Sequence, residues 1–523
     1  MTAPQTARWR FPGGVRLRQH KAVSTTAPVA ELPVPSRLVL PLDQHCDDPA
    51  EPVVEIGTQL SRGQLVARPA RPAGLPVHAS LAGSVSDITT VPYATPSGDV
   101  PATAIVIEPC PEQTPLADEP AANWQALSPE SICQRIRDAG IAGLGGAAFP
   151  THIKLAAQEA RPVHTLILNG AECEPWITCD QVLMQSRPGD IVSGARIMAH
   201  ATGAGQCLIA IEDHQQEALK AMQATLETAP ADSCEIKIVR VPTVYPEGGE
   251  KQLVQILTGE EVPSGGLPLD IGLLCQNVGT AAAVHEAICL GRPLLSRIVT
   301  VTGDCVARPG NFRVPLGTPV AELIAAAGGY LPGAQRLIMG GSMMGVALAS
   351  DETPVLKGTD CILVLSGDQL ARDDQAMPCI RCGECAEACP ASLLPQQLLW
   401  HARAGDSGQL RTHGLFDCIE CGGCAVVCPS HIPLVKHYRA AKTELWLEDY
   451  EQQLANTAQQ RFEAREQRLT NEQQRRRAEL EAHKPQTTAT QSGREEAKAT
   501  IRAARERARA RRRQSGSSDR GQD

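Results

Sequence analysis

The 523-residue chain has no long hydrophobic run; nowhere does it approach the roughly 18 uninterrupted apolar residues of a membrane-spanning helix. Any membrane contact is therefore expected to be peripheral. The opening MTAPQTARWRFPGGV also lacks the apolar centre of a secretory signal, which points to a chain kept in a reducing compartment. Nineteen cysteines in such a setting suggest metal or redox chemistry and not disulfides. Aromatics are scarce at 3%, but 42% hydrophobic residues and 40 prolines fit a loop-rich globular body and exclude a collagenous or wholly disordered chain. This length predicts two to four domains. Basic residues are under-represented up to residue 450, at 32 Lys/Arg against 47 Asp/Glu, which argues against nucleic acid as a main partner. Residues 451–523 reverse the balance, with 17 Lys/Arg against 11 Asp/Glu: a tail for an anionic membrane surface or an acidic protein, or simply a solvated one.

The densest chemistry is a cysteine ladder written twice, CIRCGECAEACP at 379–390 and CIECGGCAVVCP at 418–429. Each reads C-x2-C-x2-C-x3-C-P, the bacterial ferredoxin spacing, in which the fourth cysteine of one run ligates the cluster of the other. On that rule Cys379, Cys382, Cys385 and Cys428 hold one 4Fe-4S cluster, and Cys418, Cys421, Cys424 and Cys389 the second. Zinc needs only two C-x2-C pairs per ion and has no use for a third close cysteine followed by Cys-Pro. The long helix-bearing spacer between the runs resembles the α-helical ferredoxin modules of fumarate reductase-type subunits.

Upstream, a helix is predicted from Ser128, with Pro129 in its first turn, leading into AGIAGLGGAAFPTHIK. Gly143, Gly145 and Gly146 would let backbone approach a ligand, and Lys154 stands where a phosphate could be neutralised. Read as G-x-G-x-x-A, the segment imitates a dinucleotide fingerprint, yet it follows a helix and not a strand, so on glycines alone a plain loop competes. A short buried strand, HTLILN, then closes into GAECEPWITCD, placing Asn169, Glu172 and Glu174 near its carboxyl end. Ligands of open α/β sheets gather at that end, although two loop acids can also be merely solvated.

GLGGAAFPTHIK followed by NGAECEP resembles the flavin-binding subunit of respiratory complex I and its NAD-linked relatives. YPEGGEKQL, with Tyr245, Gly248 and Glu250, and QNVGTAAAV, with Asn277 and Thr280, continue the likeness in the same order. The resemblance implies that these residues, with the three loop glycines, Lys154, Asn169, Glu172 and Glu174, surround FMN with NADH stacked on it. Ala171, Gly249 and Gly279 stand where that family has acids, which puts individual carboxylate contacts in doubt.

Residues 297–365 resemble the small β-grasp domain that follows the flavin domain in complex I; Met343 and Met344 there are expected to pack, and Cys305 and Cys361 lack ligand-spaced neighbours. VEIGTQLSRGQLVA and VHASLAGSVSDI look like the halves of a biotinyl-lipoyl-type barrel sandwich, but no lysine stands at the SLAG tip, which argues against a carrier role. With these parts in this order, the chain resembles the C subunits of the Rnf electron-transport complex, whereas the complex I subunit has a single-cluster cysteine set. The expected architecture is multidomain α/β and α+β: an extension at 1–30, a barrel-sandwich hybrid at 31–112, an FMN/NADH-binding α/β domain at 125–296, a β-grasp SLBB-like domain at 297–366, a helical double 4Fe-4S ferredoxin module at 370–445, and a charged helix with a disordered basic end at 446–523. The resemblance implies an NADH-linked flavin and iron–sulfur enzyme subunit. It would sit peripherally on the cytoplasmic face of the bacterial inner membrane, and membrane and ferredoxin-like partner subunits would couple it to ion movement. A soluble diaphorase subunit and an electron adaptor with a decayed flavin pocket stay open as alternatives.

Overall fold

The fold is that of a computed structural model, which describes residues 5–44, 49–96, 98–119, 123–156, 161–230, 234–369, 376–483 and 491–515. The chain divides into two units, Met1–Thr443 and Glu444–Asp523.

Within the first unit, the central α/β domain carries a five-stranded sheet in the order Gln5–Thr6, Glu235–Val241, Gln206–Glu212, Thr165–Gly170, Leu273–Asn277, with every pairing parallel. Its inner strands read as nearly continuous apolar runs, such as QCLIAIE, because helices cover a parallel sheet on both faces. Helices Pro188–Thr202 and Val278–Cys289 pack so closely that any side chain on Gly194 would overlap the backbone of Ala281. The carboxyl ends of Thr165–Gly170 and Leu273–Asn277, in register at Asn169 and Asn277, form the edge on which the glycine loop sits.

Ahead of this domain, two small sheets form the barrel-sandwich part. One contains the long hairpin Gly83–Thr95 and Gly98–Pro109, flanked by Leu38–Pro41 and Gln59–Leu60; the other contains Glu51–Pro52, Leu65–Arg68 and Val77–His78. After it comes a six-stranded mixed sheet with Ser296–Thr302 parallel to Cys361–Ser366 and antiparallel to Gly310–Pro315, and with helix Val320–Ala326 following, a β-grasp arrangement. The amino-terminal residues strap these modules together. Gln5–Thr6 adds an edge strand to the five-stranded parallel sheet, and Ala30–Glu31 adds one to the β-grasp sheet.

The cysteine-rich module is helical, with short helices Glu384–Glu387 and Gly423–Val426 inside the ladders and Pro395–Ala404 and Ser407–Thr412 between them. Helix Leu434–Ala482 starts here, and its Tyr438 hydroxyl donates to the Pro395 carbonyl at 2.6 Å.

In the second unit every residue from Glu451 to His483 is exposed and helical to Ala482. The disordered end expected beyond it is corrected in part: Gln491–Ser515 forms another helix. Its Ala, Arg and Glu are strong helix formers, and no glycine or proline interrupts residues 494–515, so backbone propensity supports a helix that has no apolar face. Among the described residues no helix is long and apolar enough to cross a membrane.

Candidate functional site

The glycine loop is pinned from both sides at one residue. Ser128 caps helix Pro129–Asp138 by accepting the Ser131 N–H at 3.3 Å, and the chain then turns back, with Gly143 N–H donating to the Phe149 carbonyl at 2.8 Å. Between them, Leu144 N–H donates to Thr280 Oγ1 at 2.9 Å, while the buried Arg297 guanidinium donates to the Leu144 carbonyl at 3.2 Å. A Cβ on Gly145 would lie 3.3 Å from Asn277 Cβ, so the loop sits tightly against the strand end. Gly146 has φ +95°, a conformation glycine adopts without strain, and a Cβ built on it would meet nothing within 4 Å. The result is a pinned loop in which Gly146 borders open space among the described residues.

Of the polar side chains expected around a cofactor, Lys154, Asn169, Glu172, Glu250, Asn277 and Thr280 meet at the same sheet edge, each with an internal partner, whereas Glu174 and Tyr245 turn to other modules. Lys154 pairs with Glu250 at 2.8 Å and donates to the Cys275 carbonyl at 3.2 Å. Asn169 donates to the Gly248 carbonyl at 2.8 Å and accepts from Ala171 N–H at 3.0 Å; a Cβ on Gly248 would stand 2.7 Å from the Ala171 carbonyl. Asn277 caps helix Val278–Cys289 by accepting Gly279 N–H at 2.7 Å, and its amide donates to Asp180 at 2.6 Å. That cap explains Gly279, where any Cβ would lie 2.9 Å from the Asn277 side-chain Oδ1.

Glu172 serves helix Cys179–Ser186, its two oxygens accepting Asp180 N–H at 2.7 Å and Gln181 N–H at 2.9 Å. Burial raises its pKa against the opposing pull of Lys21 and those N–H groups. Burial and then the Glu172 charge push Asp180 up to about 8. The close approach of Glu172, Cys179 and Asp180 follows from this capping. Glu174 accepts the Met343 and Met344 N–H groups at 3.0 and 2.8 Å, and burial still lifts it to about 7. Tyr245 turns its hydroxyl to the cysteine module, donating to the Cys421 carbonyl at 2.6 Å.

Lys21, Asp180, Glu212, Glu247 and Arg297 belong to this polar core, though no motif marks them out. Lys21 Nζ donates to the Glu172 and Ile177 carbonyls, the latter at 2.8 Å, and lies 3.9 Å from Glu212. Burial and the Glu212 carboxyl keep Glu247 protonated well above the usual carboxylate range. Glu212 ends an apolar strand, so the strand-end rule applied to HTLILN is the signal that could find it. Lys21 comes from the amino-terminal strap, and nothing in its local sequence announces it.

The eight ladder cysteines line two cavities. One is lined by Cys379, Cys382, Cys385 and Cys428, the other by Cys418, Cys421, Cys424 and Cys389. The backbone repeats with the sequence: Arg381 and Glu420, Gly383 and Gly422, and Ser392 and His431 all have positive φ. Among the described residues, no three ladder sulfurs lie within 4.8 Å of one another. Sulfurs tetrahedral around one zinc at 2.3 Å would be about 3.8 Å apart. Among the described residues the quartets are therefore spread wider than a single tetrahedral zinc requires. Burial pushes Cys421 up to about 11 and Cys424 higher, so metal loading must displace protons from these thiols.

Four family models match in chain order: the RnfC barrel sandwich hybrid domain over 9–112, the Nuo51 FMN-binding domain over 136–286, the SLBB domain over 298–347 and the 4Fe-4S dicluster domain over 375–432. Proteins named as the C subunit of the ion-translocating oxidoreductase complex are similar to the chain: 47% identity over 469 residues in Pseudomonas aeruginosa, covering 90% of this chain and 60% of that protein, and 44% over 505 residues in Erwinia tasmaniensis, covering 96% and 61%. The chain thus spans about three fifths of the length of these relatives. A crystal structure of an NAD+-reducing NiFe hydrogenase overlaps 62% of this chain and 65% of its own at 21% identity and a TM-score of 0.44, too loose a likeness to carry an argument. Over nine tenths of its length the chain is thus similar to C subunits of ion-translocating oxidoreductase complexes, and it carries in order an RnfC-type barrel sandwich hybrid, an FMN-binding domain, an SLBB domain and a 4Fe-4S dicluster domain.

Proposed function

We propose that this chain is the NADH-oxidising subunit of an Rnf-type complex, delivering electrons to a ferredoxin-type or other low-potential acceptor. Partner membrane subunits would couple that transfer, in either direction, to ion movement, with this chain held peripherally at the cytoplasmic face of a bacterial inner membrane. The observation that carries the reading is the union, in one folded unit, of a glycine cradle at a sheet edge with two cavities lined by four cysteines each.

Bound FMN would supply the exchange between a two-electron hydride donor and one-electron carriers. The backbone of Gly143, Gly145 and Gly146 is available to approach it, held by Thr280 and Arg297, with the Lys154 amine beside the sheet edge. Asn169, Asn277 and Glu172 fix the strand end and two helix starts at this edge, so their part is orientation and not proton transfer. Cys379, Cys382, Cys385 and Cys428 would hold one 4Fe-4S cluster, and Cys418, Cys421, Cys424 and Cys389 the other.

The internal pairing of Lys154, Glu172 and Glu174 also favours a second reading, an electron adaptor that binds no flavin. An anaerobic NADH titration followed by absorbance and EPR separates the two. The first reading expects bound FMN that bleaches with NADH, and about eight irons per chain. Full iron without flavin or NADH response would establish the second.

A further inference from the structure

Glu174 stands far from either cysteine ladder in sequence, yet the loop it holds reaches one of them. The loop GGSMMG at 340–345 is a tight turn of the β-grasp domain, closed by Gly345 N–H on the Gly341 carbonyl at 2.9 Å. Both Glu174 oxygens accept N–H groups from its tip, Met343 and Met344, and a side chain on Gly341 would overlap the Glu174 carboxyl group. On its other side the tip meets the second ladder: a Cβ on Gly422 would lie 3.6 Å from both the Met343 Cε and the Met343 carbonyl oxygen. Gly422 lines the cavity of Cys418, Cys421 and Cys424 and follows the residue whose carbonyl is held by Tyr245.

We propose that Glu174 is a positioning residue for the second cluster: it latches the Met343 tip as a cover over Cys421–Gly422, and the cover sets that cluster's reduction potential. This rests on the reading that the second ladder holds a 4Fe-4S cluster. Reduction adds negative charge, which a dry, apolar cover disfavours and water stabilises, so opening the cover makes the cluster easier to reduce. At the first ladder the equivalent glycine has no such cover among the described residues, where a Cβ on Gly383 would meet nothing within 4 Å. The latch therefore acts on one cluster of the two.

The test uses the full chain, purified anaerobically with its cofactors, in a potentiometric titration read by EPR; the wave lost in Cys382→Ser identifies the first ladder. Glu174→Ala and Gly341→Ala break the latch from opposite sides, and Gly341→Ala keeps the carboxylate. Each is expected to move the second ladder's midpoint upward by about a tenfold change in the reduction equilibrium, about 59 mV for one electron. The first wave stays unchanged in both, FMN content stays unchanged in Gly341→Ala, and the double variant shifts no further than either single one. Met343→Ala, which leaves both N–H groups on Glu174, shifts the same wave in the same direction by less. An unmoved second wave in all these variants overturns the proposal, as does flavin loss in Glu174→Ala with that wave unmoved. If the unsubstituted protein shows only one wave and fewer than about eight irons, the two-cluster reading itself has failed and this proposal falls with it.

Discussion

The two ladders share a sequence pattern, a backbone path and a four-sulfur cavity, but their surroundings differ. Around the first, Ile380 is 68% exposed, and Met377 and Cys382 also face solvent. Around the second, Cys421 is only 6% exposed and its carbonyl is held by Tyr245, while the Cys418 carbonyl accepts from Lys442 at 2.7 Å. Cys389, which shares the second cavity, lies under the amino-terminal strap: Gly14 N–H donates to the neighbouring Ala388 carbonyl at 3.1 Å. Ligand spacing thus specifies what a ladder can bind, and the packing around it specifies which one is built into the body that carries the FMN-binding domain.

Five measurements put that contrast to the test. The largest effect belongs to Cys389→Ser, which sits in the first run but should abolish the cluster of the second; iron should fall from about eight to about four per chain with the first ladder's EPR signal retained. Gly13→Val comes next. Gly13 has φ +66°, and a Cβ there would stand 2.6 Å from the Cys389 carbonyl oxygen, so roughly 4 kcal/mol of destabilisation is expected, seen as faster loss of the second cluster to a chelator.

Glu174 supplies the third through pH. Burial raises its folded pKa to about 7 from an ordinary 4.5, so the folded state holds a proton that the unfolded state releases. Its contribution is unchanged below pH 4.5, falls as pH rises between 4.5 and 7, and levels off above; the loss is at most about 3 kcal/mol. The urea midpoint should decline across that window and decline less in Glu174→Gln. Tyr245→Phe leaves the buried Cys421 carbonyl without its donor and should cost about 1–2 kcal/mol, again read as selective lability of the second cluster. Ile380→Ser, on the exposed ladder, should change stability by less than about 0.5 kcal/mol.

The parts with strong local grammar are legible in the amino-acid sequence. Ser128 and Pro129 announce a helix start, and HTLILN announces a buried strand, because caps and apolar runs act within a few residues. The partners of Glu174 and Tyr245 are not legible, since each lies more than 160 residues away in another module. The helix at Gln491–Ser515 escapes for a different reason: a lack of apolar residues suggests disorder, whereas Ala and Arg propensity alone favours helix.

Neighbours in the chain encode the ligand chemistry of this protein: eight cysteines in two repeated runs, a glycine loop and a parallel-sheet edge. Packing in three dimensions is what makes Glu172 cap a helix, Glu174 latch a β-grasp loop, and a buried Lys21 from the amino-terminal strap sit among the acids. A buried carboxylate or amine must find a partner wherever the fold brings one, and that choice is made by contact between modules and not by spacing along the chain.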